Sequence, residues 1–353
     1  MSREAQELKI EIGVGKYPEH GRVLNHLIQL DPKRLGFMVR RRTEAFDTLI
    51  SFAAMTFERD FSRYQFDRFA HPSIDDFTVA TKQSGIHSIG YGDGNLDLYI
   101  EQRAAKTTIV VFHAAVPPRV NTYPVFQGLS ITRNLDCNLI FVSDPVLELN
   151  TNLGWYGGDR QRRLQEDLPQ VLNAVLQSFE SHQQLVFFGP SGGGFASLYY
   201  SLQFPGSWAI PMNPQTDISK YSEKAVHAYL DAAWDGATLE SATFEHQVID
   251  LYQETFPNNI LYIQNLGDRT HVPKYLVPFL EATNENRSRT AVFTGEWGLG
   301  HKPAPGKVLT SIFRDVISSG GDWDSILKLR DADSTSTPEE ISARSIEYIK
   351  SFQ

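Results

Sequence analysis

Short apolar runs alternate with amphipathic segments through the middle of this chain. The runs at 107–112, 138–142 and 185–188 are rich in β-branched and aromatic residues. Their length and composition are typical of strands that are buried on both faces of a sheet. Apolar residues at helical spacing predict a helix over 159–179, with Asp159 as its N-cap. Strand and helix in alternation favour an α/β fold, with a mostly parallel sheet and helices on both faces.

The same alternation continues to residue 318. The later elements are predicted as strands at 208–212, 260–264 and 290–294 and helices at 272–280 and 308–317. The helical stretch 219–256, broken by Gly236, lies between two of these strands and is long for a simple connection. We interpret it as an insertion that covers a binding pocket.

The two ends of the chain have a different character. Residues 1–104 carry short strand-like pieces, at 8–14, 77–81 and 96–100, and predict an N-terminal β-rich region. The basic run Arg40–Arg42 is interpreted as a solvated face. Residues 105–318 are then one α/β domain, with the insertion 219–256. Residues 319–353 form a helical tail whose last helix begins at Thr337-Pro338-Glu339-Glu340, a cap followed by an N1 proline and two acids.

A serine lies where a buried strand is followed by a helix. The pattern Gly189-x-Ser191-x-Gly193 follows the apolar run at 185–188, and helical spacing resumes after Gly194. A turn this sharp strains the serine backbone and requires neighbours that lack side chains. The pattern therefore predicts a nucleophile elbow that exposes the Ser191 hydroxyl at the end of the sheet.

Two phosphate-binding motifs are alternative interpretations of these glycines, and the sequence fits neither motif. A Walker A loop ends in Gly-Lys-Ser/Thr, whereas Gly194 is followed by Phe195 and Ala196. A dinucleotide-binding fingerprint needs a third glycine where this chain has Ser197. An inert glycine turn is the remaining alternative.

A serine nucleophile needs a base, and the base needs an acid that fixes its tautomer. In an elbow of this type the acid and then the histidine follow the serine, each after a later strand. Asp268 follows the strand at 260–264, and His301 follows the strand at 290–294 in a glycine-rich loop. We predict Ser191, Asp268 and His301 as the catalytic residues.

Alternatives to these partners remain open. Asp217 follows the strand at 208–212 and is a second candidate for the acid, or a cap for the next helix. His271 lies three residues past Asp268 at a predicted helix start, and His113 ends the strand at 107–112. We expect both histidines to be ordinary structural residues.

An oxyanion hole requires two backbone N–H groups near the serine. The residue after the nucleophile, Gly192, supplies one of them. The loop after the strand at 107–112 supplies the other, with Ala115 as the predicted donor and Ala114 as the alternative.

Together, Gly189-x-Ser191-x-Gly193, Asp268 after a late strand and Gly300-His301 after the last strand resemble the α/β-hydrolase fold over residues 105–318. The segment His113-Ala114-Ala115 is similar to the His-Gly-x that often follows the third strand of that fold, with alanine in place of glycine. Gly-x-Ser-x-Gly-Gly-Phe-Ala combined with Asn213-Pro214-Gln215-Thr216 also resembles bacterial proteins of polysaccharide or glycoprotein assembly, among them accessory Sec system acetyltransferase-like proteins.

Composition narrows the class of ligand. The net charge is −9 and the pI about 5.6, which argues against general affinity for nucleic acid or anionic membranes. No apolar run reaches the length of a signal peptide core or a transmembrane helix, and Cys137 is the only cysteine. We therefore expect a cytoplasmic protein without membrane insertion. No cluster has the spacing of metal ligands, and the chemistry requires no cofactor.

The expected function is hydrolysis of a short acyl ester through an acyl-serine intermediate. Trp155, Tyr156, Asn213, Gln215 and Trp297 would suit a carbohydrate-linked ester, because aromatic faces beside amides bind sugars. O-acyl transfer to a sugar hydroxyl is the alternative within the enzyme class. A non-catalytic interaction protein is the alternative outside it.

Overall fold

A computed structural model describes residues 57–117, 119–329 and 336–352. The strand predicted at 8–14 and the basic run Arg40–Arg42 lie outside the described residues. The strands are β1 (Glu58–Arg59), β2 (Arg68–His71), β3 (Gly85–Tyr91), β4 (Gly94–Glu101), β5 (Thr107–Phe112), β6 (Thr122–Tyr123), β7 (Asn138–Val142), β8 (Gln184–Pro190), β9 (Trp208–Met212), β10 (Asn259–Asn265) and β11 (Thr290–Gly295). The α-helices are α1 (Ile74–Val79), α2 (Leu129–Thr132), α3 (Leu164–Leu176), α4 (Gly192–Ser201), α5 (Glu223–Ala233), α6 (Val277–Ala282), α7 (Gly306–Ser318), α8 (Trp323–Leu329) and α9 (Pro338–Lys350).

Nine of the described strands form one sheet in the order β2-β3-β4-β7-β5-β8-β9-β10-β11. Strand β4 is antiparallel to both of its neighbours, and all other neighbours pair in parallel. Strands β5, β7 and β9 are buried along their whole length, as their continuous apolar sequences predict. The mostly parallel sheet expected from the sequence is confirmed.

Helices cover both faces of this sheet. On one face, the apolar side chains of α1, α3, α4, α5 and α6 pack against the strands. On the other face, α7 and α8 cover the sheet through Leu309, Ile312, Phe313, Val316 and Ile326. Period-two alternation in the strands sends neighbouring side chains to opposite faces, for example Val110 to one face and Val111 to the other.

Strands β3 and β4, from the predicted N-terminal β-rich region, are part of the same sheet. Ile100 of β4 pairs with Ile140 of β7. The sheet therefore starts before residue 105, where the sequence predicted the start of the α/β domain. The strand predicted at 77–81 was wrong, since α1 occupies Ile74–Val79. The Ser73 hydroxyl caps this helix by accepting from the Asp76 N–H.

The helix predicted over 159–179 was too long, and the stretch 219–256 is broken near Gly236, as predicted. Helix α3 begins at Leu164 rather than at Asp159, because the Asp159 carboxylate binds Arg162 in a tight loop instead of capping a helix. Within the insertion, α5 ends before Asp235 and Gly236, which take positive φ angles of 52° and 73°. Much of the insertion after that point consists of loops and short 3₁₀ turns.

The tail lies outside the sheet, as predicted, and the capping box at Thr337 and Glu340 is present. Helix α9 contacts two loops at the end of the sheet. The Ser345 hydroxyl donates to the Leu266 carbonyl at 2.6 Å, and the Tyr348 hydroxyl accepts from the Gly298 N–H at 3.0 Å. Within the described residues, the helices are too short or too polar to cross a bilayer.

Candidate active site

The turn around Ser191 is sharp and closely packed. Ser191 joins β8 to α4 with φ 54° and ψ −118°, a conformation that costs free energy in a residue with a side chain. A Cβ atom on Gly189 would lie 2.1 Å from the Gly193 carbonyl oxygen. One on Gly193 would lie 2.7 Å from the carbonyl oxygens of Phe112 and His113. The predicted strand-to-helix turn is present, and its glycines are required by backbone contacts.

Two of the backbone N–H groups predicted as oxyanion donors lack an acceptor among the described residues. Gly192 is the first residue of α4, where no intrahelical acceptor exists for its N–H. In the loop after β5, the Ala114 N–H donates to Gln127 Oε1 at 3.0 Å. Within the described residues, the Ala115 N–H has no acceptor. Of these two residues, only Ala115 therefore has a backbone N–H without an acceptor among the described residues.

His113 holds this loop in place. Its Nε2 accepts from the Asp144 N–H at 3.0 Å, and its Nδ1 lies 2.7 Å from the Ala114 carbonyl oxygen. Burial lowers the pKa of His113 to about 4, so the ring is neutral at pH 7. These contacts agree with the structural role expected for it.

The candidate acid and base meet at the carboxyl ends of β10 and β11. Asp268 Oδ2 lies 2.7 Å from His301 Nδ1, and Asp268 Oδ1 accepts the N–H groups of Thr270 and His271. Burial alone would raise the pKa of Asp268, but hydrogen bonds from His271 and His301 outweigh it and hold the pKa well below its usual range. The carboxylate is therefore ionised, as a triad acid must be.

A second histidine, His271, shares the same carboxylate. His271 Nδ1 lies 3.0 Å from Asp268 Oδ2, at an angle too bent for a good hydrogen bond. The two imidazole rings stack with centroids 4.0 Å apart and planes at 25°. Burial lowers the pKa of His271, and the neighbouring Asp268 carboxylate offsets this effect only in part. The two rings differ in access, because the His301 side chain is 38% exposed and that of His271 only 4%.

The Ser191 hydroxyl is bound by an amide rather than by an imidazole. Gln215 Nε2 lies 2.9 Å from Ser191 Oγ and 2.9 Å from His271 Nε2. Neither His271 nor His301 forms a hydrogen bond with Ser191 in the structure. The fold thus joins Asp268 directly to His301, and links Ser191 to the same carboxylate through Gln215 and His271.

Asp217, the alternative acid, has a structural role. Its carboxylate accepts from the N–H and the hydroxyl of Ser219 at 3.0 and 2.5 Å and pairs with Lys220 at 3.2 Å. These contacts cap the 3₁₀ turn Ile218–Lys220. Neither histidine contacts Asp217.

Most of the side chains expected to face a sugar are buried. Trp155, Tyr156, Asn213 and Gln215 are at most 2% exposed. Asn213 accepts from the Asn265 N–H and donates to the Lys302 carbonyl, so it ties the ends of β9 and β10 to the His301 loop. The interpretation of these four as a sugar-binding surface was therefore wrong.

A cavity of about 690 Å³ lies on the histidine side of the site. Its lining includes both histidines, Leu299 and three cationic side chains, Lys220, Arg269 and Lys274. Lys220 and Tyr221, near the start of the insertion 219–256, are also among the residues that line the cavity.

The sequence showed no cluster with metal-ligand spacing, but folding assembles one. Ligand atoms of Asp268, His271 and His301 all lie within 4.8 Å of one another. The distances of 2.7 and 3.0 Å from Asp268 Oδ2 to the two Nδ1 atoms are those of hydrogen-bonded or ion-paired groups. We accordingly interpret the cluster as an acid shared by two imidazoles.

Two residues of this site were not recognised in the sequence. Gln215 was assigned to sugar binding, and His271 was expected to be structural. The spacing of Asp268 and His271, three residues apart at the start of a helical segment, is the signal that places both on one side. No local pattern around Gln215 indicates that its amide reaches Ser191.

Comparisons with known proteins gave matches among solved structures. No family model matches the sequence, and no curated protein does. Among solved structures, the capsule O-acetyltransferase of Neisseria meningitidis serogroup A is similar, with 14% identity, a TM-score of 0.48 and coverage of 70% of this chain and 99% of that one. Esterase 2 of Thermogutta terrifontis is similar with 13% identity, a TM-score of 0.44 and coverage of 64% and 90%.

A putative dipeptidyl aminopeptidase IV of Bacteroides ovatus is similar with 14% identity and a TM-score of 0.48, over 67% of this chain. The chain spans about a third of the length of that protein, 35%. Likenesses this distant carry no argument about activity. The strand order with its one antiparallel strand, the elbow after β8 and the later acid and histidine loops are those of the α/β-hydrolase fold.

Proposed function

We propose that this protein is a serine hydrolase that cleaves a short acyl ester through an acyl-serine intermediate at Ser191. The observation that carries the proposal is the pair formed by Asp268 and His301 at 2.7 Å, on loops at the same end of the sheet as the elbow. Strain at Ser191 and the free N–H groups of Gly192 and Ala115 support it.

In this proposal His301 is the general base. Asp268 accepts the Nδ1–H of His301, which leaves Nε2 with its lone pair. Nε2 takes the proton of the Ser191 hydroxyl while Oγ attacks the ester carbonyl, and the alcohol leaves with that proton. The hydroxyl hydrogen is available, since Ser191 Oγ only accepts a hydrogen bond in the structure. The bond between Ser191 and His301 must form when substrate binds, as is common in serine enzymes.

The Gly192 and Ala115 N–H groups would hold the negative oxygen of the tetrahedral intermediate. Loss of one such donor typically costs about 3 kcal/mol of transition-state stabilisation. Glycine is absent from the loop at His113-Ala114-Ala115, so its shape depends on the bonds made by His113 and Gln127.

Acyl transfer is the second candidate. The cavity of about 690 Å³ beside His301 has room for an acceptor of the size of a sugar. A carbohydrate hydroxyl in that cavity would be activated by His301 in the same way as water. A carbohydrate-linked short acyl ester, or a carbohydrate acceptor, is thus the substrate class that we propose to test first.

Active-site labelling tests the proposal directly. The intact mass of the protein should rise by one adduct after treatment with a fluorophosphonate, and Ser191→Ala should abolish both the adduct and ester turnover while leaving the fold intact. An alanine variant that kept more than a few per cent of the activity would show that another residue is the nucleophile. A wild-type protein without any adduct would favour a non-catalytic interaction protein.

Substrate panels separate the candidates. Acetyl esters should be cleaved in preference to esters of eight or more carbons, because the site contains no broad aliphatic surface among its described lining residues. Turnover that rises steadily with chain length would point to a lipid substrate. Formation of an acylated sugar, in a mixture of acetyl ester and oligosaccharide, would identify the protein as a transferase.

A further inference from the structure

Gln215 lies in the loop after β9 and is completely buried. Its side chain makes three contacts: Trp155 Nε1 at 3.2 Å from its Oε1, and Ser191 Oγ and His271 Nε2 each at 2.9 Å from its Nε2. A buried amide in contact with the nucleophile is not needed for an elbow to form.

The partners of Gln215 fix the direction of each hydrogen bond. An indole N–H can only donate, so Trp155 requires the amide oxygen on its side. The amide nitrogen then faces Ser191 and His271 and donates to both. His271 must accept at Nε2, which places its own proton on Nδ1, beside the ionised Asp268.

This arrangement separates the two histidines by role. The lone pair of His271 Nε2 is occupied by Gln215, so His271 cannot take a proton from Ser191 while that bond exists. Within the described residues, His301 Nε2 has no hydrogen-bond partner, and its ring is more exposed to the cavity. His301 is therefore the base, and His271 serves another purpose on the same carboxylate.

We propose that Gln215 is a further catalytic residue, whose amide N–H donates to Ser191 Oγ and stabilises the charge that Oγ carries during acyl transfer, and that His271 is a positioning residue for this amide. The proposal rests on the serine chemistry proposed above. It assigns one carboxylate, Asp268, to two imidazoles, of which one moves protons and the other orients a donor.

The amide acts at two points of the reaction. In acylation, the proton of Ser191 moves to His301 Nε2 as the bond from Oγ to the acyl carbon forms, and the carbonyl π electrons move to the oxyanion. Those electrons then re-form the carbonyl as the bond to the alcohol oxygen breaks, and the alcohol leaves with the proton from His301. In deacylation, water or an acceptor hydroxyl gives its proton to His301 and attacks the acyl carbon. The bond from Oγ then breaks, and Oγ takes the proton back from His301. Negative charge develops on Oγ in both steps, and a fixed donor at 2.9 Å lowers the free energy of both.

Two variants test the donor. Gln215→Leu removes it, and Gln215→Glu keeps the shape and the bond from Trp155 but presents Ser191 with an acceptor. Each should lower kcat/KM for an acetyl ester, and the rate of fluorophosphonate labelling, by at least about tenfold. Gln165→Leu is the matched control, because Gln165 is also a buried amide but binds the backbone of Glu245. An unchanged or increased rate in either Gln215 variant, with a melting temperature like that of the control, would overturn the proposal.

A second pair of variants tests the positioning role. In His271→Gln, the new amide oxygen can lie near the position of His271 Nε2 in the wild type and accept a hydrogen bond from Gln215. His271→Leu has no acceptor there. We expect His271→Gln to retain more of the labelling rate than His271→Leu. In ¹⁵N spectra of histidine-labelled protein, His271 should show a proton on Nδ1 and none on Nε2, and Gln215→Leu should alter that pattern. Equal rates in the two His271 variants, or a proton on Nε2 in the wild type, would contradict the role.

The outcomes distinguish this inference from the proposed function. If the wild-type protein shows no Ser191-dependent labelling, the serine chemistry is wrong, and the catalytic role of Gln215 is wrong with it. If Ser191 is labelled and Gln215→Leu reacts at the wild-type rate, only the role of Gln215 is overturned.

Discussion

Asp268 and Asp217 both follow strands of the same sheet, but their carboxylates bind different groups. Asp268 accepts hydrogen bonds from two N–H groups of its own loop and from His301, and the His271 ring lies against it at 3.0 Å. The hydrogen bonds to Asp217 come from Ser219, with Lys220 as its ion-pair partner. An acid beside a base controls the tautomer of that base, whereas a helix cap contributes only to local stability.

Amide substitutions at the two acids should therefore have unequal effects. Asp268→Asn should lower kcat by a factor on the order of 10³ to 10⁴, because an amide N–H facing His301 favours the wrong tautomer. Asp217→Asn should change kcat by less than about threefold, since a cap accounts for about 1 kcal/mol of stability. Steady-state kinetics of both variants on one ester provides the check. The reverse ranking would move the acid to the loop after β9.

A second pair of histidines, His71 and His87, should make the stability of the protein depend on pH. His87 Nε2 lies 2.9 Å from the Gln83 carbonyl oxygen, so it carries a proton, and His87 Nδ1 accepts from His71 Nε2 at 2.9 Å. Burial lowers the pKa of His87 to about 4, and the nearby His71 and Lys82 add to this effect. Burial also lowers the pKa of His71. Both rings are neutral in the folded protein at pH 7.

Because the pKa of His87 is lower in the folded state, the unfolded chain binds more protons between pH 6.5 and pH 4. The neutral His87 ring therefore contributes fully to the free energy of unfolding above pH 6.5. This contribution decreases as the pH falls, and the loss reaches about 3 kcal/mol at pH 4. Urea unfolding of the wild type and His87→Gln at pH 7, 6 and 5 measures this. The variant should lose less stability on acidification. Equal slopes in the two proteins would mean that folding does not change the pKa of His87.

Among the elements, the turn from β8 to α4 depends most on its glycines. Gly189→Val and Gly193→Val should each lower the free energy of unfolding by at least about 2 kcal/mol, because a Cβ would overlap backbone atoms that cannot move aside. Gly306→Ala at the first residue of α7 is the control, since a Cβ there meets nothing within 4 Å. Thermal unfolding compares the three. Melting temperatures like that of the control would show that the turn is less tight than in the structure.

The strands at the centre of the sheet were easier to predict from the sequence than the helices. Strands β5, β7 and β8 are continuous apolar runs, because parallel strands covered on both faces need no polar side. Helix α1 was missed since only Phe77 of its six residues is buried, which leaves almost no apolar periodicity. The start of α3 was misplaced because Asp159, which suits a helix cap, binds Arg162 instead.

At the site, chain order predicted the pair of Asp268 and His301, which the structure confirms as neighbours. The contact between Ser191 and Gln215 joins two loops that are 24 residues apart, and its geometry depends on Trp155 from a third loop. Side-chain contacts of this kind follow from tertiary packing, so no local pattern in the sequence predicts them.

At the scale of the whole molecule, the net charge of the chain is negative, whereas the side chains that line the cavity are mainly positive. The chain has a net charge of −9, yet the cavity beside His301 is lined by Lys220, Arg269 and Lys274. The only acid in that lining, Asp268, is occupied by its two histidines. Within the described residues, Arg269 and Lys274 have no acidic ion-pair partner. A cationic cavity in an acidic protein attracts anionic substrates over neutral ones.

An ester that carries a phosphate or carboxylate should therefore react faster than a neutral ester of the same size. Its kcat/KM should fall several-fold as the salt concentration rises from about 0.02 M to about 0.2 M, because mobile ions screen exposed charges, whereas the neutral ester should be nearly unaffected. Lys274→Glu combined with Arg269→Glu should remove the preference. Lys307→Glu, outside the cavity lining, should preserve it. If the neutral ester shows the same salt dependence, or if the double variant keeps the preference, these cations do not select the substrate.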